Sequence, residues 1–117
     1  MRPHQKLDLW KKVIEFVRAT YKITERFPTE EKFGLTSQLR RAVVSIAANI
    51  AEGAARTSSK DFLRFLSNSQ GSASEADTEL LIARRLGYLS QEEYETFVTD
   101  LDDIGRMLTG LCRSFRT

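Results

Sequence analysis

Side chains that could carry out catalysis or bind a metal are few in this sequence. Glu75 and Glu79 are one helical turn apart, a spacing at which paired carboxylates can bind divalent metals inside helical bundles. The Glu-x-x-His element that accompanies such pairs is absent, so we favour a solvated acidic face. His4 is the only histidine, and no group of cysteine and histidine has the spacing of a zinc site. We therefore predict a protein that is not an enzyme and that uses no metal or other cofactor.

A row of polar residues further along the chain points to hydrogen bonding and ion pairing. Glu52 and Arg56 are four residues apart, in the order that favours an ion pair on a helix. Asn49 lies one turn earlier and could hydrogen-bond either of them. We favour a structural role, in which this row pairs with another helix or subunit and fixes its register. Contact with a ligand or with nucleic acid is the alternative.

Length and composition are typical of one globular domain over residues 1–117, with 41% hydrophobic and 29% charged residues. The single cysteine, Cys112, lies in an apolar stripe and cannot form an internal disulfide. We expect it to be a buried, unreactive thiol in a reducing environment. No apolar run approaches the roughly 18 residues of a membrane helix, and the first residues lack the apolar segment of a signal peptide. These features predict a cytoplasmic protein with no membrane partner.

Apolar residues recur at steps of three and four along the chain and predict four helices. The helices are expected at about residues 6–26, 36–55, 59–86 and from Ser90 onward. Ser58 or Ser59 is placed to cap the third helix and Gly87 to end it, while Ser90 begins the capping-box pattern SQEE. Short links between helices favour antiparallel neighbours. The predicted fold is therefore an all-α, up-down-up-down antiparallel four-helix bundle.

The third helix contains an unusual run of small and polar residues, SNSQGSASEAD, at positions 67–77. Gly71 within it costs up to about 1 kcal/mol relative to alanine. We expect tight contact with a neighbouring helix to compensate for this cost. A loop that divides the segment into two helices is the alternative.

The second helix has an apolar surface wider than the stripe of little more than 100° that a bundle helix needs. Its main stripe is Leu35, Leu39, Val43, Ile46 and Ile50. A second set of apolar residues lies on roughly the opposite side, namely Val44, Ala48, Ala51 and Ala55. We predict that this second set is an interface in a homo-oligomer, because exposed apolar patches usually mark interfaces. The alternative is a central helix that the other three enclose.

The first helix has a similarly wide apolar arc. Its main, inward stripe is predicted to be Leu7, Trp10, Ile14, Val17, Tyr21 and Thr24. The residues that widen the arc are Leu9, Val13, Phe16 and Ile23. This second wide surface supports the prediction of an oligomer.

Basic residues concentrate at the end of the predicted bundle where the second helix leads into the third. Lys60 and Arg64 lie near the start of a helix, where the helix dipole disfavours cations. This placement reduces stability and so indicates a partner. Repeated by symmetry, the basic end would form a positive ring able to hold phosphates. Acidic residues, Asp100 and Asp103 among them, are predicted at the opposite end.

We predict contact with an RNA or DNA backbone through Lys11, Lys12, Arg56, Lys60, Arg64, Arg113 and Arg116. The alternative function is a structural or protein-binding adaptor, for example for a polymerase, without direct contact with nucleic acid.

Several stretches of the sequence are similar to a known family. The most specific are Phe33-Gly34-Leu35, Gln38-Leu39-Arg40-Arg41, Asn49-Ile50-Ala51-Glu52-Gly53 and Gly71-Ser72. With these motifs, the chain from about residue 7 to residue 111 resembles the bacterial four-helix-bundle proteins encoded within 23S rRNA intervening sequences.

The resemblance implies a four-helix bundle that assembles as a ring-like homopentamer. It marks Arg41, Asn49, Glu52, Gly53 and Gly71 as signature residues, with no demonstrated catalytic role. The family is also similar to the accessory variability protein of diversity-generating retroelements, a basic pentamer that works with a reverse transcriptase and nucleic acid. For the intervening-sequence proteins themselves, the resemblance implies no established reaction.

Overall fold

The computed structural model describes residues 3–115, without the side chains at positions 5 and 6. This part of the chain contains four α-helices, two short 3-10 turns and no strand, which confirms the all-α prediction. The helices are α1 (Asp8–Thr24), α2 (Leu35–Ala54), α3 (Ser59–Arg85) and α4 (Gln91–Ser114). The 3-10 turns are Pro3–Lys6 and Thr29–Glu31. Over the described residues, no helix is both long enough and apolar enough to cross a membrane.

Local capping residues set the starts of the last two helices and the end of α3. The Ser58 hydroxyl accepts a hydrogen bond from the Asp61 backbone N–H at 3.1 Å, which satisfies a free donor at the start of α3. Ser90 and Glu93 form the predicted capping box at the start of α4. Gly87 has a φ of 80°, the left-handed conformation that follows many helices. These three predictions are confirmed.

The small and polar run at positions 67–77 is continuous helix, so a loop there is excluded. The Ser69 hydroxyl donates to the Ile46 carbonyl at 2.8 Å, and the Ser72 hydroxyl donates to Ser45 Oγ at 2.9 Å. These bonds show that the run packs closely on α2, as expected. Gly71 itself takes no part in this contact, because a Cβ built there would meet nothing within 4 Å in the described structure.

The inward face of α1 differs from the predicted one. The buried residues of α1 are Leu9, Val13, Phe16, Thr20 and Thr24. Of the predicted stripe only Thr24 is buried, whereas Ile14 and Tyr21 remain 37% and 41% exposed. The buried threonines satisfy their hydroxyls on their own helix, with Thr20 donating to the Phe16 carbonyl at 2.8 Å. Leu9, Val13 and Phe16, which were expected only to widen the arc, therefore form the centre of the core face. Leu7, Trp10 and Val17 of the expected stripe are half-buried against the edge of the core, and only Ile14 and Tyr21 lie on the outer surface.

The four helices pack around one hydrophobic core, with each helix against two others. The backbones of α1 and α2, α2 and α3, α3 and α4, and α1 and α4 approach each other closely, whereas within residues 3–115 the diagonal pairs α1/α3 and α2/α4 have no such close backbone approach. Leu39, Val43, Ile46 and Ile50 of α2 are fully buried, as predicted. Because only two helices flank α2, enclosure by three helices does not explain its second apolar surface.

Specific contacts show which helix ends lie together. Arg40, in the first turns of α2, donates to Thr24 Oγ1 at 2.8 Å near the end of α1. Arg26, just after α1, pairs with Glu93 in the first turn of α4 at 2.5 and 2.8 Å. Far from this pair, the ring of Phe62 near the start of α3 lies 4.7 Å from the ring of Phe115 after α4.

Candidate nucleic-acid interface

A basic cluster surrounds the junction of α2 and α3, and its members are Arg56, Lys60 and Arg64, all exposed. The guanidinium carbons of Arg56 and Arg64 lie 4.9 and 4.5 Å from the centre of the Phe65 ring. Such cation–π contacts orient a guanidinium without neutralising its charge. Arg56 also pairs with Glu52 at 2.8 Å, as predicted from their spacing. The structure thus brings two predicted phosphate-binding arginines together on one aromatic ring.

Gly53 sets the position of that ring. It is buried in the last turn of α2, and a Cβ built there would lie 2.8 Å from Phe62 Cδ1 and 2.9 Å from Phe65 Cβ. These separations are shorter than packed carbon atoms allow. Only glycine therefore lets α3 approach α2 closely enough to place Phe65 beneath the two arginines. This close approach explains why position 53, one of the predicted signature residues, is glycine.

The other predicted phosphate-binding cations lie outside the cluster of Arg56, Lys60 and Arg64. Lys11 near the start of α1 and Arg113 near the end of α4 are exposed, and the Phe62–Phe115 contact puts the end of α4 beside the start of α3. Arg116 lies outside the described residues. The cluster of Arg56, Lys60 and Arg64 is therefore the best-defined part of the predicted surface.

Lys12 is engaged within the chain rather than free at the basic end. Its ammonium lies 3.9 Å from carboxylate oxygens of both Asp100 and Asp103 on α4, and its side chain is only 34% exposed. Placing Asp100 and Asp103 at the opposite end of the molecule from Lys12 is therefore wrong. They meet because both carboxylates lie on the side of α4 that packs against α1. Arg106 also binds Asp103 from within α4.

The polar row of α2 has mainly structural partners. Asn49 is half-buried and donates to the Ser45 carbonyl at 2.9 Å and to Ser45 Oγ at 3.1 Å, rather than to Glu52 or Arg56. Ser45 Oγ in turn accepts the hydrogen bond from Ser72 of α3. The chain Asn49–Ser45–Ser72 thus joins α2 to α3 at a fixed register, which agrees with the structural interpretation.

The family follows from a sequence comparison. A family model described as "23S rRNA-intervening sequence protein" matches residues 5–110. This chain belongs to the 23S rRNA-intervening sequence protein family. The resemblance drawn from the sequence motifs is therefore confirmed.

A solved structure shares the fold of this family member. It is the crystal structure of a protein with unknown function from the S23 ribosomal protein family of Bacteroides thetaiotaomicron. The two are 27% identical in sequence and superpose with a TM-score of 0.80, over 89% of this chain and 97% of the other. No curated protein gives a significant match.

A polar cleft between α2 and α3 contains Arg41, one of the predicted signature residues. The cleft has a volume of about 450 Å³, and Gln38, Arg41, Glu75 and Glu79 are among its lining residues. Burial, with the neighbouring charge of Glu75 as a second cause, raises the pKa of Glu79. Glu79 Oε1 is buried and has no hydrogen-bond partner among the described atoms. The prediction of a solvated acidic face is thus wrong for Glu79, which the close approach of α3 to α2 half-buries.

The other candidate groups are a lone cysteine and dispersed carboxylates. Cys112 is buried in the core, as predicted. Over residues 3–115, no three histidine, cysteine, aspartate or glutamate side chains converge as a metal site would require.

The predicted interface residues lie on the outside of α2. Val44 is 41% exposed, Ala48 and Ala55 are exposed, and Ala51 is half-buried. On α1, Ile14 and Tyr21 are also exposed. Apolar surface is therefore open to solvent on both helices in one copy of this chain.

The opposite end of the molecule holds an exposed aromatic residue that the sequence interpretation did not single out by itself. Phe33, inside the Phe33-Gly34-Leu35 motif, is 90% exposed, and Leu86 beyond α3 is 55% exposed. The Glu31 side chain accepts hydrogen bonds from the Leu35 backbone N–H and from the Tyr88 hydroxyl nearby, which holds the Phe33 turn against the end of α3. Phe33 and Leu86 are thus large apolar side chains that this end of the molecule leaves open to solvent.

Proposed function

We propose that this member of the 23S rRNA-intervening sequence protein family is a non-enzymatic, ring-like homo-oligomer, a pentamer, that binds an RNA or DNA backbone. The binding surface is the cluster of Arg56, Lys60 and Arg64. The observation that carries the proposal is that two of these arginines rest on the Phe65 ring and remain exposed. We further propose that the protein acts in the cytoplasm, catalyses no reaction and uses no cofactor.

The proposed topology is an up-down-up-down antiparallel bundle. Support comes from pairs of residues that lie near opposite termini of neighbouring helices, such as Arg40 with Thr24 and Arg26 with Glu93. In this topology the basic junction of α2 and α3 shares an end of the bundle with the start of α1 and the end of α4. Lys11 and Arg113 then extend the positive surface around the Arg56 cluster.

The proposed assembly uses the outer surface of α2 at Val44, Ala48, Ala51 and Ala55. Its support is the exposure of this apolar surface together with exposed apolar residues of α1. In a symmetric ring each copy presents its basic end on the same side, so the positive potential of the copies adds. Val44→Glu should release monomers of 13.4 kDa, because a carboxylate buried in the interface would lose its hydration. A variant that keeps the mass of the wild type would contradict the interface.

Phosphate groups are the ligand chemistry that suits this surface. Arginines and lysines bind phosphate oxygens without reading base sequence, and they release counterions as they do so. The aromatic rings near the cluster are half-buried, so base stacking contributes little. The proposed binding is therefore sensitive to salt and weakly dependent on sequence.

The test is a fluorescence-anisotropy titration of labelled RNA and DNA with the wild type and with Lys60→Glu/Arg64→Glu. We expect the variant to lose binding, and the wild type to bind less tightly as salt rises. The control is Lys22→Glu/Arg85→Glu, which makes the same change in net charge at exposed positions near the other ends of α1 and α3. Unchanged affinity in the first variant, or equal loss in both, would contradict the proposed site.

A second candidate function is a protein-binding adaptor, which the exposure of Phe33 favours. In that case the Phe33 end would dock a protein partner such as a polymerase. A partner that co-purifies from cells, survives nuclease treatment and is lost with Phe33→Ser would support the adaptor over direct nucleic-acid binding.

A further inference from the structure

The polar cleft between α2 and α3 has the size of a small-molecule site. Its volume is about 450 Å³, and such sites usually measure roughly 300–1,000 Å³. Polar side chains of both helices line it, namely Gln38, Arg41 and Ser45 of α2 and Ser72, Glu75 and Glu79 of α3. The cleft therefore suits a small polar ligand rather than an apolar one.

Contacts within the chain hold the two walls of the cleft together. Ser72 of α3 donates to Ser45 Oγ of α2 at 2.9 Å, and Asn49 donates to the same oxygen at 3.1 Å. Ala42, which also lines the cleft, is buried and has a side chain of one carbon only. The cleft is thus formed before any ligand enters it.

The Glu79 carboxyl group lacks a partner that its surroundings call for. Its Oε1 atom is buried and has no hydrogen-bond partner among the described atoms. Few buried polar atoms in native proteins are left without a hydrogen bond. Burial, followed by the charge of Glu75, raises the pKa of Glu79. A cationic donor from outside the chain would supply the missing hydrogen bond and would offset the charge of Glu75.

The other charged residues of the cleft are unpaired as well. Arg41 and Glu75 are exposed, and neither forms an ion pair with another residue of the described chain. Opposite charges thus share one cleft without touching, which leaves room between them for a molecule that carries both charges. The carboxylates outnumber the guanidinium by one, so the cleft favours a ligand with a net positive charge.

A guanidinium group suits the carboxylate side of the cleft better than an ammonium group does. It is planar and presents its N–H donors in a fork that matches the two oxygens of a carboxylate. It is also more weakly hydrated than an ammonium group, so it enters a half-buried site at a lower cost. On the other side, the Arg41 guanidinium matches a carboxylate of the ligand by the same geometry.

We propose that this cleft binds a small guanidino carboxylic acid, such as a free guanidino amino acid. The guanidinium of the ligand lies against Glu79 and Glu75, and its carboxylate lies against Arg41. The cleft shares no residue with the cluster of Arg56, Lys60 and Arg64. This inference therefore does not rest on nucleic-acid binding.

Isothermal titration calorimetry with L-arginine tests the site in the wild-type protein. We expect saturable binding of one molecule per chain. Glu79→Gln keeps the size of the side chain and removes its charge, and it should weaken binding at least about tenfold, because it removes a charged hydrogen bond. The control is Glu92→Gln, which makes the same change in charge at an exposed position of α4 and should bind as the wild type does. No saturable binding to the wild type, or equal affinity in Glu79→Gln, would overturn the proposal.

Related compounds test the two ends of the ligand separately. L-citrulline has a neutral group of nearly the same shape in place of the guanidinium, and it should bind at least about tenfold more weakly than L-arginine. Agmatine keeps the guanidinium and lacks the carboxylate, so Arg41→Gln should weaken the binding of L-arginine and not that of agmatine. Equal affinity for L-citrulline would overturn the guanidinium assignment, and equal losses for L-arginine and agmatine in Arg41→Gln would overturn the role of Arg41.

A capped peptide and NMR spectra complete the test. An arginine residue acetylated and amidated at its ends represents a protein segment, and affinity equal to that of L-arginine would overturn the assignment to a free compound. In NMR spectra, L-arginine should shift the backbone amide signals of Ser45 and Ser72, which line the cleft, and not that of Thr109, which lines the groove between α3 and α4. The same spectra show whether Glu79→Gln is folded. Signals that shift only outside the cleft would contradict the site.

Discussion

Gly53→Ala tests the claim that close approach of α2 and α3 positions the basic cluster. The added Cβ would lie 2.8 Å from Phe62 Cδ1 and 2.9 Å from Phe65 Cβ. The Phe65 Cβ is attached directly to the backbone, so it cannot move away by a rotamer change alone. The start of α3 must therefore move outward, together with the ring on which Arg56 and Arg64 rest.

Two opposing effects set the magnitude. Overpacking of a buried site reduces stability by about 1–3 kcal/mol. Alanine favours helix over glycine by at most about 1 kcal/mol. The net expectation is a loss of about 1–2 kcal/mol in the free energy of unfolding. For a chain of this length, each kcal/mol corresponds to roughly 4 °C, so Tm should fall by about 4–8 °C.

Thermal unfolding followed by circular dichroism measures this change. The matched control is Gly71→Ala, where the same substitution meets open space in the described structure and should raise Tm by a few degrees. Both variants are compared in a Val44→Glu background, which removes the proposed subunit interface. Equal shifts for Gly53→Ala and Gly71→Ala, or a higher Tm for Gly53→Ala, would refute the close-approach argument.

Three further substitutions have defined expectations. Ser90→Ala removes the capping hydrogen bond to the Glu93 backbone N–H, and urea unfolding should show a loss of about 1 kcal/mol, with the exposed Thr99→Ala as control. Glu79→Gln should make the protein more stable than the wild type at pH 7, because burial raises the pKa of Glu79 and disfavours its charged form. The difference in the free energy of unfolding should vanish at pH 3, where the carboxyl is protonated. A wild type that is more stable than the variant at pH 7 would contradict this expectation. Hydrogen bonds from Arg26 lower the pKa of Glu93 to about 2. The ionised Glu93 carboxylate therefore stabilises the fold fully above the ordinary pKa of a glutamate, and this stabilisation is lost as the pH falls toward 2. Unfolding of Glu93→Gln from pH 7 to pH 2 should therefore converge with the wild type at low pH, whereas Glu92→Gln should show no such convergence.

The helix ends and the core face of α2 could be predicted from the sequence because local chemistry determines them. Ser58 and Ser90 each cap the helix that follows, and Gly87 takes the left-handed conformation at the end of α3. The inward face of α1 could not be chosen in the same way. Two apolar arcs of α1 have the same helical spacing, and only packing against the other helices decides which arc is buried.

The candidate site could be predicted only in part for a related reason. Arg56 and Glu52 pair as their spacing indicates, because the pair depends on one helix alone. The pairing of Lys12 with Asp100, by contrast, depends on the register between α1 and α4, which helical periodicity does not contain. The burial of Glu79 likewise depends on how closely α3 approaches α2. Contacts within a single helix could thus be predicted from the sequence, whereas contacts between helices could not.

The molecular mass of the wild type in solution tests the central proposal most directly. That proposal is that contact between copies of the chain covers the exposed apolar surfaces of α1 and α2. Light scattering or native mass spectrometry should give a multiple of 13.4 kDa, five-fold for the proposed pentamer, that persists on dilution to micromolar concentration. A particle of 13.4 kDa at every concentration would contradict the account.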